Sequence, residues 1–125
     1  MKKTILIVDD DPAMHEVYGD MFRQSDRYQL ARAYSVEEAL KGLKTRRIDL
    51  ILLDIIMEPI PGSYLYLKVA RDKKIQNEKI PIIVVSVLKE HELGSLGKLD
   101  NLIFFAKPFK KEALMGKIEE LLGSD

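Results

Sequence analysis

Short apolar runs alternate with segments of helical period along most of the chain. Continuous apolar runs predict buried strands at residues 4–8, 49–53, 81–87 and 102–106, and residues 29–34 predict a weaker strand. Strands that are apolar throughout are typical of a parallel sheet with helices on both faces. The pattern therefore predicts an α/β fold with an open, doubly wound sheet of five parallel strands.

Helical segments fill the spaces between these strands. The first is predicted at residues 12–24, the second begins after Ser35, the third spans residues 63–74 and the last spans residues 110–122. Ser35 and Glu38 form a capping-box pattern at the start of the second helix. The predicted apolar faces contain Val17, Met21, Met14 and Tyr18 in the first helix; Val36, Ala39, Leu40 and Leu43 in the second; Leu65, Leu67, Val69 and Ala70 in the third; and Leu114, Ile118, Leu121 and Leu122 in the last.

The segment at residues 89–99 has the weakest helical pattern. Gly94 and Gly97 lie inside it, and glycine disfavours a helix interior. The polar stretch at residues 73–79 is most simply a solvated loop.

Composition narrows the function classes. The 125 residues are 46% hydrophobic and 32% charged, and 20 basic side chains balance 20 acidic ones. A zero formal charge disfavours a basic nucleic-acid binder. Cysteine is absent, which excludes disulfides and thiolate metal sites and is consistent with a reducing cytoplasm. The apolar run near the N-terminus is too short for a signal peptide or a membrane span.

Polar side chains follow the predicted strands where ligands bind in open α/β sheets, beyond the carboxyl ends. Asp9, Asp10 and Asp11 follow the first strand, and Asp54 follows the third. Ser86 lies near the end of the fourth strand. Lys107 and Pro108 follow the fifth.

Clustered carboxylates repel one another, and a hard divalent cation such as Mg²⁺ relieves the repulsion. Without cysteine, and with His15 and His91 expected to be surface residues, zinc is disfavoured. A lysine and a serine suit phosphoryl oxygens, and a carboxylate beside a metal can accept a phosphoryl group.

These stretches resemble the receiver domain of two-component response regulators. The similar segments are ILIVDDDP, LILLDIIMEPIPG, IPIIVVSV and FFAKPF, and the resemblance covers nearly all of residues 1–125 as one receiver domain, complete or cut from a longer protein. It implies a CheY-like, flavodoxin-like fold with strand order 2-1-3-4-5. It also implies a regulatory phosphoacceptor rather than an enzyme, which assists only its own phosphorylation and dephosphorylation.

The resemblance assigns roles to individual residues. Asp54 is the phosphorylation site, and Asp9, Asp10, Asp54 and the carbonyl of Ile56 hold Mg²⁺ or Mn²⁺. Lys107 contacts the phosphoryl group and precedes a cis proline. Ser86 is the switch hydroxyl, and Phe104 is the aromatic residue that turns inward on activation.

The resemblance also implies partners. A sensor histidine kinase or phosphotransfer protein donates the phosphoryl group, and a downstream protein or a fused output domain receives the signal. No direct nucleic-acid or membrane contact by this chain is implied. A homodimer through the strand 4–strand 5 face is left open.

Several positions depart from the family pattern. Glu58 occupies the usual proline position and Pro59 follows it, so this loop is expected to differ most from its relatives near the site. Val87 replaces a small residue and is expected to narrow access to Asp54. Ile56 cannot orient an attacking water. Ile56 and Val87 together predict a long-lived phosphoryl state.

Other functions and plainer roles stay open at this point. A pseudo-receiver would keep the fold as a constitutive protein-binding module without phosphorylation. A magnesium phosphohydrolase would normally need a second carboxylate where Ile56 stands, and a flavodoxin-like cofactor binder would need a glycine-, serine- or threonine-rich first loop. The first-loop aspartates can also act as a helix N-cap, and Phe104 as a core residue.

Overall fold

The computed structural model describes residues 2–72, 80–99 and 101–123. Five strands form one parallel sheet in the order β2-β1-β3-β4-β5, as predicted. They are β1 (Lys3–Val8), β2 (Tyr28–Ala33), β3 (Leu50–Leu53), β4 (Ile82–Ser86) and β5 (Ile103–Ala106). The α-helices of the described residues are α1 (Pro12–Phe22), α2 (Val36–Thr45), α3 (Gly62–Arg71) and α4 (Lys111–Leu122).

Alternate strand residues contribute to two separate cores, one on each face of the sheet. One core contains Leu6, Val8, Ile51, Leu53 and Val84 together with the apolar faces of α2 and α3. The other contains Ile5, Ile7, Leu50, Leu52, Ile83 and Val85 with residues of α1 and α4. Since successive side chains of a strand point to opposite faces, continuous apolar runs are what this two-sided burial requires.

The helix starts follow the predicted capping chemistry in part. The carboxylate of Asp11 accepts a hydrogen bond from the Ala13 amide at 2.9 Å, one residue after Pro12 opens α1. The hydroxyl of Ser35 accepts one from Glu38 N–H at 3.1 Å. The Glu38 carboxylate accepts from Tyr34 N–H rather than from Ser35, so the reciprocal bond is displaced by one residue.

Two predicted helix faces need correction. In α1 the buried residues are His15, Tyr18 and Phe22, whereas Val17 is exposed and Met14 and Met21 are only partly buried. In α3 they include Leu65, Tyr66 and Val69, while Leu67 and Ala70 face solvent. Both errors arise because apolar residues surround these helices, so the sequence alone does not select the packed face. Residues 73–79, predicted to be a loop, lie outside the described residues.

The weak fourth segment forms two short 3-10 turns, Glu90–Glu92 and Gly94–Lys98. Leu93 and Leu96 are buried in the core that also holds α2 and α3. Gly94 has a φ of 64°, which glycine adopts without steric cost. No helix within residues 2–72, 80–99 and 101–123 combines the length and apolar character that crossing a membrane requires.

Candidate functional site at the carboxyl edge of the sheet

Asp9 and Asp54 are held side by side by the hydrogen-bond ladder of the sheet. β1 pairs with β3 in parallel, with Val8 opposite Leu53, so the residues after these two end next to each other. The Asp54 amide donates to the Val8 carbonyl at 3.0 Å, and the Asp9 amide donates to the Ala33 carbonyl at 3.2 Å. Each bond continues its ladder by one residue. Both carboxylates are therefore fixed by backbone geometry, and both are buried.

Lys107 follows β5, at one edge of the sheet, and its side chain extends to this pair of carboxylates. Its amide donates to the Ser86 carbonyl at 2.8 Å, which extends the pairing of β4 and β5 past Ala106. Its ammonium group donates to Oδ2 of Asp9 at 3.0 Å and to Oδ2 of Asp54 at 3.3 Å. One cation thus bridges two carboxylates that stand at the ends of different strands.

Asp10 completes a group of three carboxylates. Oxygen atoms of Asp9, Asp10 and Asp54 all lie within 4.8 Å of one another. Asp9 and Asp54 are buried and Asp10 is exposed, so the group opens toward solvent on one side. Oxygen donors with room for retained waters are what Mg²⁺ prefers, and three carboxylates with one ammonium group leave an excess of negative charge for it to offset. The residues present therefore fit a hard divalent cation.

The second oxygens of the two buried carboxylates are also bonded. Oδ1 of Asp9 accepts from Asp11 N–H at 2.9 Å, and Oδ1 of Asp54 accepts from Ile56 N–H at 3.1 Å. These bonds leave each carboxylate in one orientation. The loop after β3 brings the Ile56 amide next to Asp54, and the metal-binding role of the Ile56 carbonyl stays a prediction.

Burial and neighbouring charges together shift the pKa values of Asp54 and Lys107. Desolvation raises the pKa of Asp54 above its usual range, and the nearby Asp9 carboxylate adds to the rise, although Lys107 and the Ile56 amide oppose it. For Lys107, burial alone would lower the pKa. Its hydrogen bond to Asp9 and the charges of Asp54 and Asp9 outweigh burial, so the pKa of Lys107 is raised. The two carboxylates that Lys107 bridges therefore favour its charged ammonium form.

Of the two predicted switch residues, Ser86 is the last residue of β4 and Phe104 lies in β5. Ser86 is fully buried, and its hydroxyl accepts from Leu88 N–H at 3.2 Å. Phe104 is partly buried and packs against the core that contains α2 and α3. Val87 is 64% exposed. The switch roles of Ser86 and Phe104 stay predictions, as does the effect of Val87 on access.

The loop between β3 and α3 has an irregular backbone. Both the Glu58–Pro59 and the Lys107–Pro108 peptide bonds are cis, the second as the family resemblance implies. The Gly62 amide donates to the Ile55 carbonyl at 3.0 Å, which closes the loop onto the strand end. Within this loop Met57 is buried, whereas Ile56 is 45% exposed.

His15 was expected to be a surface residue, and that prediction is wrong. The side chain is buried, and its Nε2 lies 2.8 Å from the carbonyl oxygen of Asp9. Its ring stacks on Tyr34 with the centroids 4.0 Å apart. The sequence signal was its spacing from Tyr18 and Phe22, three and seven residues further on, which places all three on one helix face. His91 is exposed, as predicted.

Comparison with known proteins identifies the family. Residues 5–119 match the model of the response regulator receiver domain, and the chain belongs to that family. Response regulator GtcR of Aneurinibacillus migulanus is 32% identical over 124 residues, covering 98% of this chain and 48% of that protein. Transcriptional regulatory protein MalR of Bacillus subtilis is 37% identical over 113 residues, covering 86% and 45%. The chain spans about half the length of these curated relatives.

Solved structures show the same fold. Response regulator TrrA of Thermotoga maritima, in complex with Mg²⁺-BeF, superposes with a TM-score of 0.81 at 29% identity, covering 96% of this chain and 99% of that one. A CheY-like receiver domain protein of Methanospirillum hungatei gives 0.80 at 26% identity, covering 98% and 94%. These likenesses confirm the predicted flavodoxin-like receiver fold.

Proposed function

We propose that this chain is the phosphoacceptor module of a two-component system, with Asp54 as the residue that receives the phosphoryl group. The observation that carries the proposal is the bridge from the Lys107 ammonium to both Asp9 and Asp54 at the carboxyl edge of the sheet. It places a cation beside a buried carboxylate that faces two further carboxylates. That arrangement suits transfer of a charged group better than it suits structural stabilisation, because burial works against the charge on Asp54.

In the proposed reaction a carboxylate oxygen of Asp54 attacks the phosphorus atom of a phosphohistidine on the kinase or phosphotransfer protein. The new P–O bond forms as the P–N bond breaks, and its electron pair stays on the imidazole nitrogen of the donor. Lys107 holds the transferred group and offsets charge on its oxygens. Asp9, Asp10, Asp54 and the Ile56 carbonyl hold Mg²⁺, or Mn²⁺, which supplies further charge stabilisation when bound.

Phosphorylation then alters the protein surface. The added group carries nearly two negative charges and three acceptor oxygens. Ser86 donates its hydroxyl hydrogen to one of them, and Phe104 moves inward, which favours a different packing on the face of β4 and β5. The change is a shift in population between two packings. A downstream protein, a fused output domain or a second copy of the chain reads that face.

The site of action in this proposal is the cytoplasm, where a cysteine-free regulator of this family meets its kinase. Several relatives are named transcriptional regulators, which supports gene control as the output. One relative is a protein-glutamate methylesterase. Its activity is not carried over to this chain, which we propose to be no enzyme beyond its own phosphorylation and dephosphorylation.

Phosphoryl transfer from a small donor tests the proposal. The protein is incubated with acetyl phosphate and Mg²⁺, and its intact mass is followed. We expect the mass of one phosphoryl group to be added to the wild type and to Asp49→Asn, but not to Asp54→Asn. Asp49 precedes β3 and Asp54 follows it, so the two variants make the same chemical change at opposite ends of one strand.

Two other results would point elsewhere. A wild type that gains no mass and shows no response to beryllium fluoride would favour the pseudo-receiver, a constitutive binding module. Continuous release of phosphate from simple monoesters would favour a phosphohydrolase. The exposed aliphatic side chain of Ile56, where that class would need a second carboxylate, argues against the hydrolase.

A further inference from the structure

Asp9 has a partner for every hydrogen-bonding group it possesses. Its amide donates to Ala33, one carboxylate oxygen accepts from the Asp11 amide and the other accepts from Lys107. Its carbonyl oxygen accepts from Nε2 of His15 at 2.8 Å, inside the buried part of the site. The first three bonds belong to the sheet and to the carboxylate cluster. The fourth comes from a side chain to which the proposed phosphoryl transfer gives no role.

His15 is locked in place from several directions. Its ring is 2% exposed and stacks on Tyr34, and its own carbonyl oxygen accepts from the Arg32 guanidinium at 2.8 Å. A backbone carbonyl can only accept, so Nε2 is the ring nitrogen that carries the hydrogen. The other nitrogen, Nδ1, is buried without a partner among the described residues. Burying an unpaired polar atom costs stability, and an apolar side chain at this position would not do so. Packing alone therefore does not account for a histidine here.

The bond from His15 acts on the peptide unit that joins Asp9 to Asp10. This unit is planar, so fixing its oxygen also fixes its nitrogen and the direction in which the chain enters Asp10. Asp10 needs such support because its side chain is exposed and has no bonding partner within the described residues. Its carboxylate nevertheless lies within 4.8 Å of those of Asp9 and Asp54.

We propose that His15 is a positioning residue for the metal site, which it influences through the Asp9–Asp10 peptide unit without touching the ion. The inference rests on the proposed function, since it assumes that the three carboxylates hold a divalent cation. His15 orients Asp10, the ligand that the rest of the fold leaves free. Loss of its N–H donor is therefore expected to weaken cation binding while the ligands themselves remain present.

Three variants separate positioning from packing. His15→Leu removes the donor and keeps an apolar side chain, whereas the amide N–H of His15→Gln lies as many bonds from the backbone as Nε2 does. Phe22→Leu removes packing two turns further along the buried face of α1 and leaves Asp9 untouched. If His15→Leu does not fold, His15→Asn takes its place, because its shorter amide cannot reach the carbonyl.

The probe is the metal alone, with Mg²⁺ affinity measured by calorimetry and Mn²⁺ affinity by paramagnetic resonance. We expect His15→Leu to bind about ten-fold more weakly, His15→Gln to recover most of the loss, and Phe22→Leu to lower Tm without changing affinity. The amide nitrogen resonance of Asp10, recorded without metal, should move in His15→Leu and return in His15→Gln. That signal reports on the peptide unit directly.

Unchanged affinity in His15→Leu, or in His15→Asn if that variant takes its place, with wild-type binding intact, would overturn the inference and leave the proposed function standing. Affinity losses that follow Tm in all variants, including Phe22→Leu, would also overturn it. A wild type that binds neither ion would instead overturn the proposed function, and this inference with it.

Discussion

The backbone of Gly62 packs directly against Asp54, so a Cβ atom at position 62 would overlap the Asp54 carbonyl oxygen and lie 2.9 Å from Cα of Ile55. Gly62→Ala is therefore expected to push the loop away from the strand end. We expect a loss of about 2 kcal/mol or more in the free energy of unfolding, and weaker Mg²⁺ binding, measured by denaturant titration and calorimetry.

Gly42 provides the matched control for that substitution. It lies inside α2, and a Cβ atom there would meet no atom within 4 Å beyond its chain neighbours and the helix's own backbone. Gly42→Ala should stabilise the protein by about 1 kcal/mol through helix propensity alone. Equal effects of the two glycine substitutions would show that the close approach at Asp54 is not a constraint.

Asp54→Asn is expected to stabilise the protein in the absence of divalent cations. The pKa of Asp54 in the folded state is raised above its ordinary 3.8, chiefly by burial, so folding works against its ionised form. This penalty is absent well below pH 3.8, grows as the pH rises from 3.8 through the raised pKa of the folded state, and is complete above that raised pKa. Thermal melts in a chelator at neutral pH should show a Tm higher by a few degrees.

The pH dependence checks the cause of that gain. In acid, where both states carry the protonated carboxyl, the wild type and Asp54→Asn should melt together. Asp49→Asn should lower Tm instead, since Asp49 accepts hydrogen bonds from Thr4 N–H at 2.8 Å and from Arg47 at 3.1 Å. A destabilised Asp54→Asn at neutral pH would mean that its bond to Lys107 outweighs burial.

Lys107→Met should destabilise the metal-free protein, because it leaves two buried carboxylates without their shared cation. The loss should shrink in an Asp54→Asn background, and a double-mutant cycle by denaturant titration should give a coupling of roughly 0.5–3 kcal/mol. Because the pKa of Lys107 is raised above its ordinary 10.5, its contribution is complete at neutral pH and is lost only as the pH rises through that raised value.

A surface ion pair serves as the comparison for this cycle. Lys117 bonds to Glu120 at 2.6 Å on α4, where the glutamate is largely exposed. Lys117→Met should change stability by less than about 0.5 kcal/mol. If Lys107→Met changes the free energy of unfolding by no more than Lys117→Met does, Lys107 contributes no more to stability than an ordinary surface charge.

Ile56→Asn should shorten the lifetime of the phosphorylated protein several-fold. The exposed Ile56 side chain cannot orient a water toward the phosphoryl group, whereas an amide can. The backbone N–H that bonds Asp54 is kept in the variant. Loss of phosphate is followed by intact mass after the donor is removed, with Leu67→Asn as a control at another exposed aliphatic position. Rapid loss from the wild type, unchanged in Ile56→Asn, would contradict the prediction.

Much of the sheet and of the carboxylate cluster could be predicted because both depend on local pattern. A run such as residues 49–53 predicts a strand, and parallel pairing then brings the following residue to a common edge. Asp54 and Lys107 could therefore be placed near each other although 53 positions separate them. Their hydrogen bonds and the direction of their pKa shifts needed the three-dimensional structure.

What the sequence did not reveal depends on contacts between elements. The carbonyl oxygen that His15 contacts belongs to Asp9, outside α1, so the helical pattern of α1 does not predict this contact. The two 3-10 turns after β4 were likewise not predicted from the sequence. The pair Gly94 and Gly97 weakened the helix prediction, but only the fold shows that a Cβ atom at Gly97 would lie 2.6 Å from the Glu90 carbonyl oxygen.

The bridge made by Lys107 also links the site to the completion of folding. Its two carboxylate partners lie 98 and 53 positions earlier in the chain, at the ends of β1 and β3, so both of these ammonium bonds are long-range contacts. Contacts of such separation carry a large loop-closure entropy and therefore form slowly. A chain interrupted before β5 would carry all three aspartates without the bridging cation. If Asp54 accepts a phosphoryl group as proposed, that capacity is a property of the finished sheet, and phosphorylation would serve as a sensitive assay for correctly folded protein.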